Sequence, residues 1–166
     1  MKIERIVKEL IRAREQGNTV FVFGNGGSSS TASHFVCDLV KACNIKAICL
    51  SDNTSYFSAY ANDISYESVF SAPLSLFLKN NDIVIGISCS GNSKNVIRAF
   101  ELIRQIRDKR ESFNALTIAF TGFDGGKLKT LADIHINVPV ESYRISEDIH
   151  LALCHLIVER ILSNEP

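Results

Sequence analysis

The sequence predicts an α/β fold: a three-layer sandwich in which a five-stranded parallel sheet is flanked by helices. Three observations carry that expectation. Four short runs, 19–23 (TVFVF), 46–50 (KAICL), 82–87 (DIVIGI) and 115–120 (ALTIAF), are largely apolar, as strands buried on both faces must be. Segments with apolar residues at helical spacing separate them, and this alternation implies parallel pairing with helices on both faces. Polar segments rich in glycine, serine or asparagine follow three of the strands, beyond whose carboxyl ends ligands sit in such sheets.

Taken in order, Ile3, Ile6, Val7, Leu10 and Ile11 recur at helical spacing, and Gly17 stops that helix. The first strand runs into GNGGSSS, and a helix is expected from about Ser30 to Ala42. The second strand is followed by the polar stretch SDNTSYFSAYAND and then by a helix ending near Leu78. The third strand ends in SCSGNS and opens a helix from about Lys94 to Arg107, carrying Val96, Ile97, Phe100, Leu102 and Ile103. After the fourth strand GFDGGK turns the chain, and Leu128 to Leu131 fits a short helix. Ile134, Ile136 and Val138 alternate in a fifth strand, and a last helix runs from about Ile145 to Leu162.

At 166 residues and 46% hydrophobic, residues 1–166 fit a single domain. A chain of this length buries roughly two-thirds of its unfolded surface and needs no disulfides. Eighteen Lys plus Arg balance eighteen Asp plus Glu, which argues against a broad nucleic-acid surface. No apolar run reaches the ~20 residues that span a bilayer, so no membrane partner is expected. The charged start, Met1-Lys2-Ile3-Glu4-Arg5, does not read as a signal peptide. The five cysteines (37, 43, 49, 89 and 154) are odd in number and form no CxxC pair. A reducing cytoplasm is the expected location, with most thiols in the core.

Ser88-Cys89-Ser90-Gly91-Asn92-Ser93 leaves a strand and opens a helix. Its hydroxyls and backbone N–H groups can converge on an anion such as phosphate, helped by the helix dipole. On its own the hexapeptide equally fits a serine-rich cap with a glycine turn. Gly24-Asn25-Gly26-Gly27-Ser28 permits close approach of backbone to a ligand, or serves only the geometry of a turn. It breaks the GxGxxG pattern, since Ser29 stands at the third glycine position, and no acidic residue closes the second strand. A nucleotide-binding fold of the NAD type is therefore disfavoured.

His34 and Asp38, four apart, share one helix face and suit proton transfer, a metal, or simply a solvated pair. The last helix offers Glu147, Asp148, His150 and His155. His155, among Leu151, Leu153, Cys154, Leu156 and Ile157, also fits a satisfied core histidine. His135 is assigned no role.

Together these pieces resemble the sugar isomerase (SIS) domain family, and within it the sedoheptulose 7-phosphate isomerases, or phosphoheptose isomerases. GNGGS followed by HF, Asn62-Asp63, GISCSGNSKNVIRA, TGFDGGK and the histidine-bearing last helix occur in the family order over nearly the whole chain. The resemblance implies an SIS-type sandwich that interconverts a ketose and an aldose phosphate through an enediol(ate), chemistry that calls for no nucleotide or redox cofactor. It implies sugar-phosphate contacts at Asn25, Gly26, Gly27, Asn62, Asp63, Ser88, Cys89, Ser90, Ser93 and Glu147. It also implies a catalytic pair, Asp38 as base and His155 as acid, within a zinc site built from His34, Asp38, Glu147 and His155. Three residue types depart from the family pattern: Asp38 replaces Glu, Glu147 replaces Gln and Cys89 replaces Thr.

The partners implied are a small-molecule sugar phosphate and further copies of the chain, as a dimer or tetramer. The family commonly carries a further helix before the one near Lys2, which this chain is expected to lack. Other SIS modules bind phosphosugars without catalysis, serve in replication control, or isomerise other sugar phosphates. Retention of His34 and His155 favours an enzyme. If Glu147 and His155 are both helical, they lie ~12 Å apart along the axis and about 80° apart around it. Sharing one ion then requires Glu147 to sit in the loop before the helix, or one of the two to act in a neighbouring chain's site; the resemblance, to a family whose sites lie at subunit interfaces, favours the second.

Overall fold

Five strands and seven α-helices make up the computed structural model, which describes residues 2–164; Met1, Glu165 and Pro166 lie outside them. The strands are β1 (Val20–Gly24), β2 (Ala47–Cys49), β3 (Ile83–Ser88), β4 (Leu116–Gly122) and β5 (Ile134–Val138). The helices are α1 (Lys2–Gln16), α2 (Gly27–Lys41), α3 (Thr54–Asp63), α4 (Ser71–Phe77), α5 (Lys94–Lys109), α6 (Leu128–Leu131) and α7 (Tyr143–Leu162), with one 3-10 turn at Tyr66–Ser68. Every strand pair is parallel, in the order β2-β1-β3-β4-β5. This is the three-layer α/β sandwich expected from the sequence.

Strand residues alternate between two cores, because successive side chains leave a strand on opposite faces. Val20, Val22, Ile83, Ile85, Ile87, Ile118 and Phe120 pack with α1, α2 and α7 through residues such as Leu10, Phe35 and Ile157. Phe21, Phe23, Val84 and Ala119 face the other way, onto Phe70, Leu74, Phe100 and Leu128 of the second helical layer. Gly86 belongs to that tight side: a Cβ there would stand 2.6 Å from the Phe100 ring.

Two segments differ from the sequence expectation. The serine run 28–30 is not a loop but the first turn of α2, which begins at Gly27 rather than near Ser30. Gly26, at φ +55, breaks the chain there, and the Ser29 and Ser30 N–H groups donate back to its carbonyl. The polar stretch after β2 is also largely helical. Asn53 caps α3 by accepting the Tyr56 N–H (3.0 Å), and Phe57, Tyr60 and Ala61 pack against the second core.

The topology fixes where a ligand can sit. From β1 the chain crosses to β2 on one side, then returns to β3 on the other side of β1. The carboxyl ends of β1 and β3 therefore open into the crevice of a topological switch point. GNGG follows β1 there, and SCSGNS follows β3.

Candidate active site

Beyond β3 the chain turns through Gly91, at φ +63, and enters α5 with Ser93 as the N-cap. The Ser88 hydroxyl donates to Ser93 Oγ (3.2 Å), and the Asn92 N–H donates to Ser90 Oγ (3.1 Å). This loop is held in shape by the GFDGGK turn. The Gly122 N–H donates to the Cys89 carbonyl (2.7 Å), Leu128 N–H to the Gly91 carbonyl (3.1 Å) and Lys127 N–H to Asn92 Oδ1 (3.0 Å). A Cβ on Gly91 would overlap the Gly125 carbonyl, which is why two glycine-bearing turns meet here.

The cup formed is a cavity of about 110 Å³ lined by Asn25, Ser28, Ser88, Cys89, Ser90, Ser93, Tyr143 and Glu147, among others. Six of the expected contact residues thus come together: Asn25, Ser88, Cys89, Ser90, Ser93 and Glu147. No Lys or Arg is among the lining residues, so hydroxyls, amides and the start of α5 are its anion-attracting groups. Gly26 provides the left-handed turn into α2. Gly27 lets α7 approach, since a Cβ there would overlap the Glu147 carboxylate. Burial pushes the Cys89 thiol up, against a hydrogen bond with Ser28, and the Glu147 charge adds to the rise. Cys89 therefore stays a neutral thiol at pH 7. Asn62 and Asp63 end α3, exposed and bonded to each other (2.8 Å), and do not line the cup.

The second cluster joins α2 to α7. Asp38 Oδ2 lies 3.7 Å from His34 Nε2 and 3.8 Å from His155 Nε2, and the two imidazoles meet edge to face at 4.9 Å. The candidate ligand atoms of His34, Asp38 and His155 all lie within 4.8 Å of one another. Glu147 is not part of that group, and it lies within α7, not in a preceding loop. His34, Asp38 and His155 meet within one chain, so that pairing needs no neighbouring subunit.

His155 is not the core histidine of α7. Its side chain is 46% exposed, whereas His150 is fully buried, with Nε2 3.0 Å from the Thr121 carbonyl. Two imidazoles and a carboxylate, open to solvent on one side, suit both proton transfer and a divalent metal.

Sequence reasoning missed Asn95 and Tyr66, both of which bond Asn25. The position of Asn95 in the first turn of α5, just after GNS, was the available signal. It also gave no role to the GFDGGK turn, which braces the cup.

A family model described as SIS domain matches residues 1–111. The chain is 41% identical over 165 residues to a probable phosphoheptose isomerase of Thermoplasma acidophilum, covering 96% of this chain and 87% of the relative. It is 35% identical over 164 residues to a phosphoheptose isomerase of Helicobacter pylori, covering 94% and 82%. The structure of a phosphoheptose isomerase from Neisseria gonorrhoeae superposes with a TM-score of 0.88 at 28% identity, covering 98% of this chain and 85% of that one. The chain belongs to the SIS-domain family, alongside the phosphoheptose isomerases.

Proposed function

We propose that the chain is an aldose–ketose isomerase that converts sedoheptulose 7-phosphate into a manno-heptose 7-phosphate through an enediol(ate). The observation that carries this is the convergence of Asp38 and His155 beside His34, on the helices whose other ends border the serine cup. Its relatives among the phosphoheptose isomerases support the substrate class. So does the spacing on α7. Glu147 in the cup and His155 in the cluster are eight residues apart, roughly 12 Å along the axis, a span suited to a long phosphosugar.

In this reading Ser88, Ser90, Ser93, the Cys89 backbone and Asn25 bind the phosphate. The Asp38 carboxylate takes the proton from the carbon next to the ketose carbonyl, and His155 gives a proton to the carbonyl oxygen, leaving a neutral enediol. Returning a proton to the neighbouring carbon, while His155 regains one from the terminal hydroxyl, completes the aldose. The donor set of His34, Asp38 and His155 fits zinc, which would supply polarisation of the carbonyl and diol oxygens if bound there.

Residues 1–166 act as a single SIS domain in this reading, since β4 and β5, beyond the matched residues 1–111, continue the same sheet. The chain works as a homo-oligomer. The exposed Ile64, Leu76 and Phe77, at 66%, 71% and 54%, support buried contacts between copies. The cytoplasm is its compartment, in keeping with five free cysteines. Among the described residues no helix is long and apolar enough to cross a membrane.

A panel of five-, six- and seven-carbon ketose phosphates tests the assignment. Turnover should be greatest with sedoheptulose 7-phosphate. Conversion of a pentose or hexose phosphate in its place would overturn the heptose assignment.

A further inference from the structure

Asn25 carries an amide whose two ends are chemically opposite, one accepting and the other donating hydrogen bonds. Its neighbours decide which end faces the cup. Asn95, only 1% exposed on the first turn of α5, is the fixed point, because its Oδ1 accepts the backbone N–H of Val96 (3.0 Å). A backbone N–H cannot exchange roles with an acceptor, so that bond sets the orientation of the Asn95 amide. The same Oδ1 accepts from Asn25 Nδ2 (2.9 Å), and Asn95 Nδ2 donates to Asn25 Oδ1 (2.8 Å). The Tyr66 hydroxyl, from the turn after α3, donates to that Oδ1 as well (3.0 Å). Turning the Asn25 amide round would set its Nδ2 against the Asn95 Nδ2 donor and its Oδ1 against the Asn95 Oδ1; the Tyr66 hydroxyl, which can accept as well as donate, braces this arrangement rather than setting it.

We infer that Asn95 and Tyr66 are positioning residues for substrate binding: Asn95 sets, and Tyr66 braces, the Asn25 amide so that it presents an N–H, not its carbonyl, to the phosphate oxygens in the cup. With Oδ1 taken twice and one Nδ2 hydrogen given to Asn95, the second Nδ2 hydrogen is the one left for a ligand. Asn25 lines the cup with Ser88, Ser90 and Ser93, so this hydrogen adds a donor where no Lys or Arg is present. Tyr66 also ties the segment after α3 to the cup.

The inference rests on the phosphosugar reading of the cup. Asn95→Asp is nearly isosteric and keeps an oxygen for Val96 and for Asn25 Nδ2. It replaces the donor to Asn25 Oδ1 with a carboxylate oxygen that repels it. Tyr66→Phe removes only the second donor. With sedoheptulose 7-phosphate, Asn95→Asp should raise KM about 10-fold or more, and Tyr66→Phe about 3-fold. In both, kcat should stay within about 2-fold of wild type. Loss of folded protein would instead lower kcat and leave KM unchanged.

An arm free of catalysis uses the intact chain and inorganic phosphate. The Asn25 side-chain amide, assigned by its absence in Asn25→Asp, is followed by ¹H–¹⁵N NMR. Phosphate should shift one of its two protons strongly in wild type, and that shift should be lost in Asn95→Asp. Wild-type KM in both variants, or a phosphate shift that survives Asn95→Asp, would overturn the inference. A wild-type chain inactive on every phosphosugar, but with this NMR response intact, would overturn the isomerase reading and uphold the lock on Asn25.

Discussion

Asp38 Oδ2 lies 3.8 Å from His155 Nε2, although one residue sits on α2 and the other on α7. Both are partly open to solvent, at 27% and 46% side-chain exposure, so water reaches both. The pair is assembled by the packing of α2 against α7, through Phe35, Leu39, Cys154 and Ile157 of one core. The geometry of the pair thus depends on a helix–helix contact rather than on a loop.

Removing the carboxylate should be severe. Asp38→Asn is expected to lower turnover by about 100-fold or more, the usual scale for a general base, and His155→Gln should do likewise. Because the two meet within one chain, mixing the two inactive variants should restore no activity even after subunit exchange. Steady-state assays before and after mixing check both statements.

The serine cup gives a second expectation. Ser90→Ala combined with Ser93→Ala should weaken phosphosugar binding by about 100-fold or more, since each of the two lost bonds to a charged group contributes roughly 1.5–3 kcal/mol. Calorimetry measures the affinity, and an unchanged melting temperature shows that the fold remains.

Glu147 separates two roles. It lines the cup and stands apart from the His34–Asp38–His155 cluster. Glu147→Gln should therefore tighten phosphosugar binding about 5-fold, what roughly 1 kcal/mol of charge repulsion amounts to in a partly open site. It should leave the metal content of zinc-equilibrated protein unchanged. Loss of bound zinc would place Glu147 in the metal site instead.

Stability should fall on mild acidification. Burial lowers the pKa of His150, opposed by its bond to the Thr121 carbonyl, and burial also lowers that of His135, with Lys2 and Lys129 adding to the effect. Each histidine then binds fewer protons in the folded than in the unfolded chain, so stability rises with pH. The contribution is whole above about 6.5, the unfolded value, and is lost as pH falls from there through the depressed folded values. Urea titrations at pH 7.5 and 5.5 should show the drop, and His150→Gln should reduce it.

Much of the fold was legible because the strands are nearly pure apolar runs, and parallel order follows from their alternation with helices. Helix α3 was not, since its inward stripe is only Phe57, Tyr60 and Ala61, set among polar residues that read as loop. His155 looked like a core histidine because its neighbours in sequence are apolar. On a helix, neighbours in sequence point in different directions. His150, Cys154, Ile157 and Ile161 form the buried stripe, and His155 lies off it. The cup was legible from its two glycine-bearing motifs. The lock on Asn25 was not, because it joins β1, α5 and the turn after α3, which meet only in three dimensions.

The central claim is proton transfer by Asp38 and His155 through an enediol(ate), and deuterium incorporation tests it most directly. Wild-type protein is incubated with sedoheptulose 7-phosphate in D₂O, and the recovered sugars are analysed by NMR and mass spectrometry. The account predicts an aldose phosphate carrying deuterium on the carbon next to its carbonyl, because the solvent-open pair delivers its proton from water. An aldose product with no deuterium at that carbon would contradict it, pointing to direct hydride transfer between the two carbons.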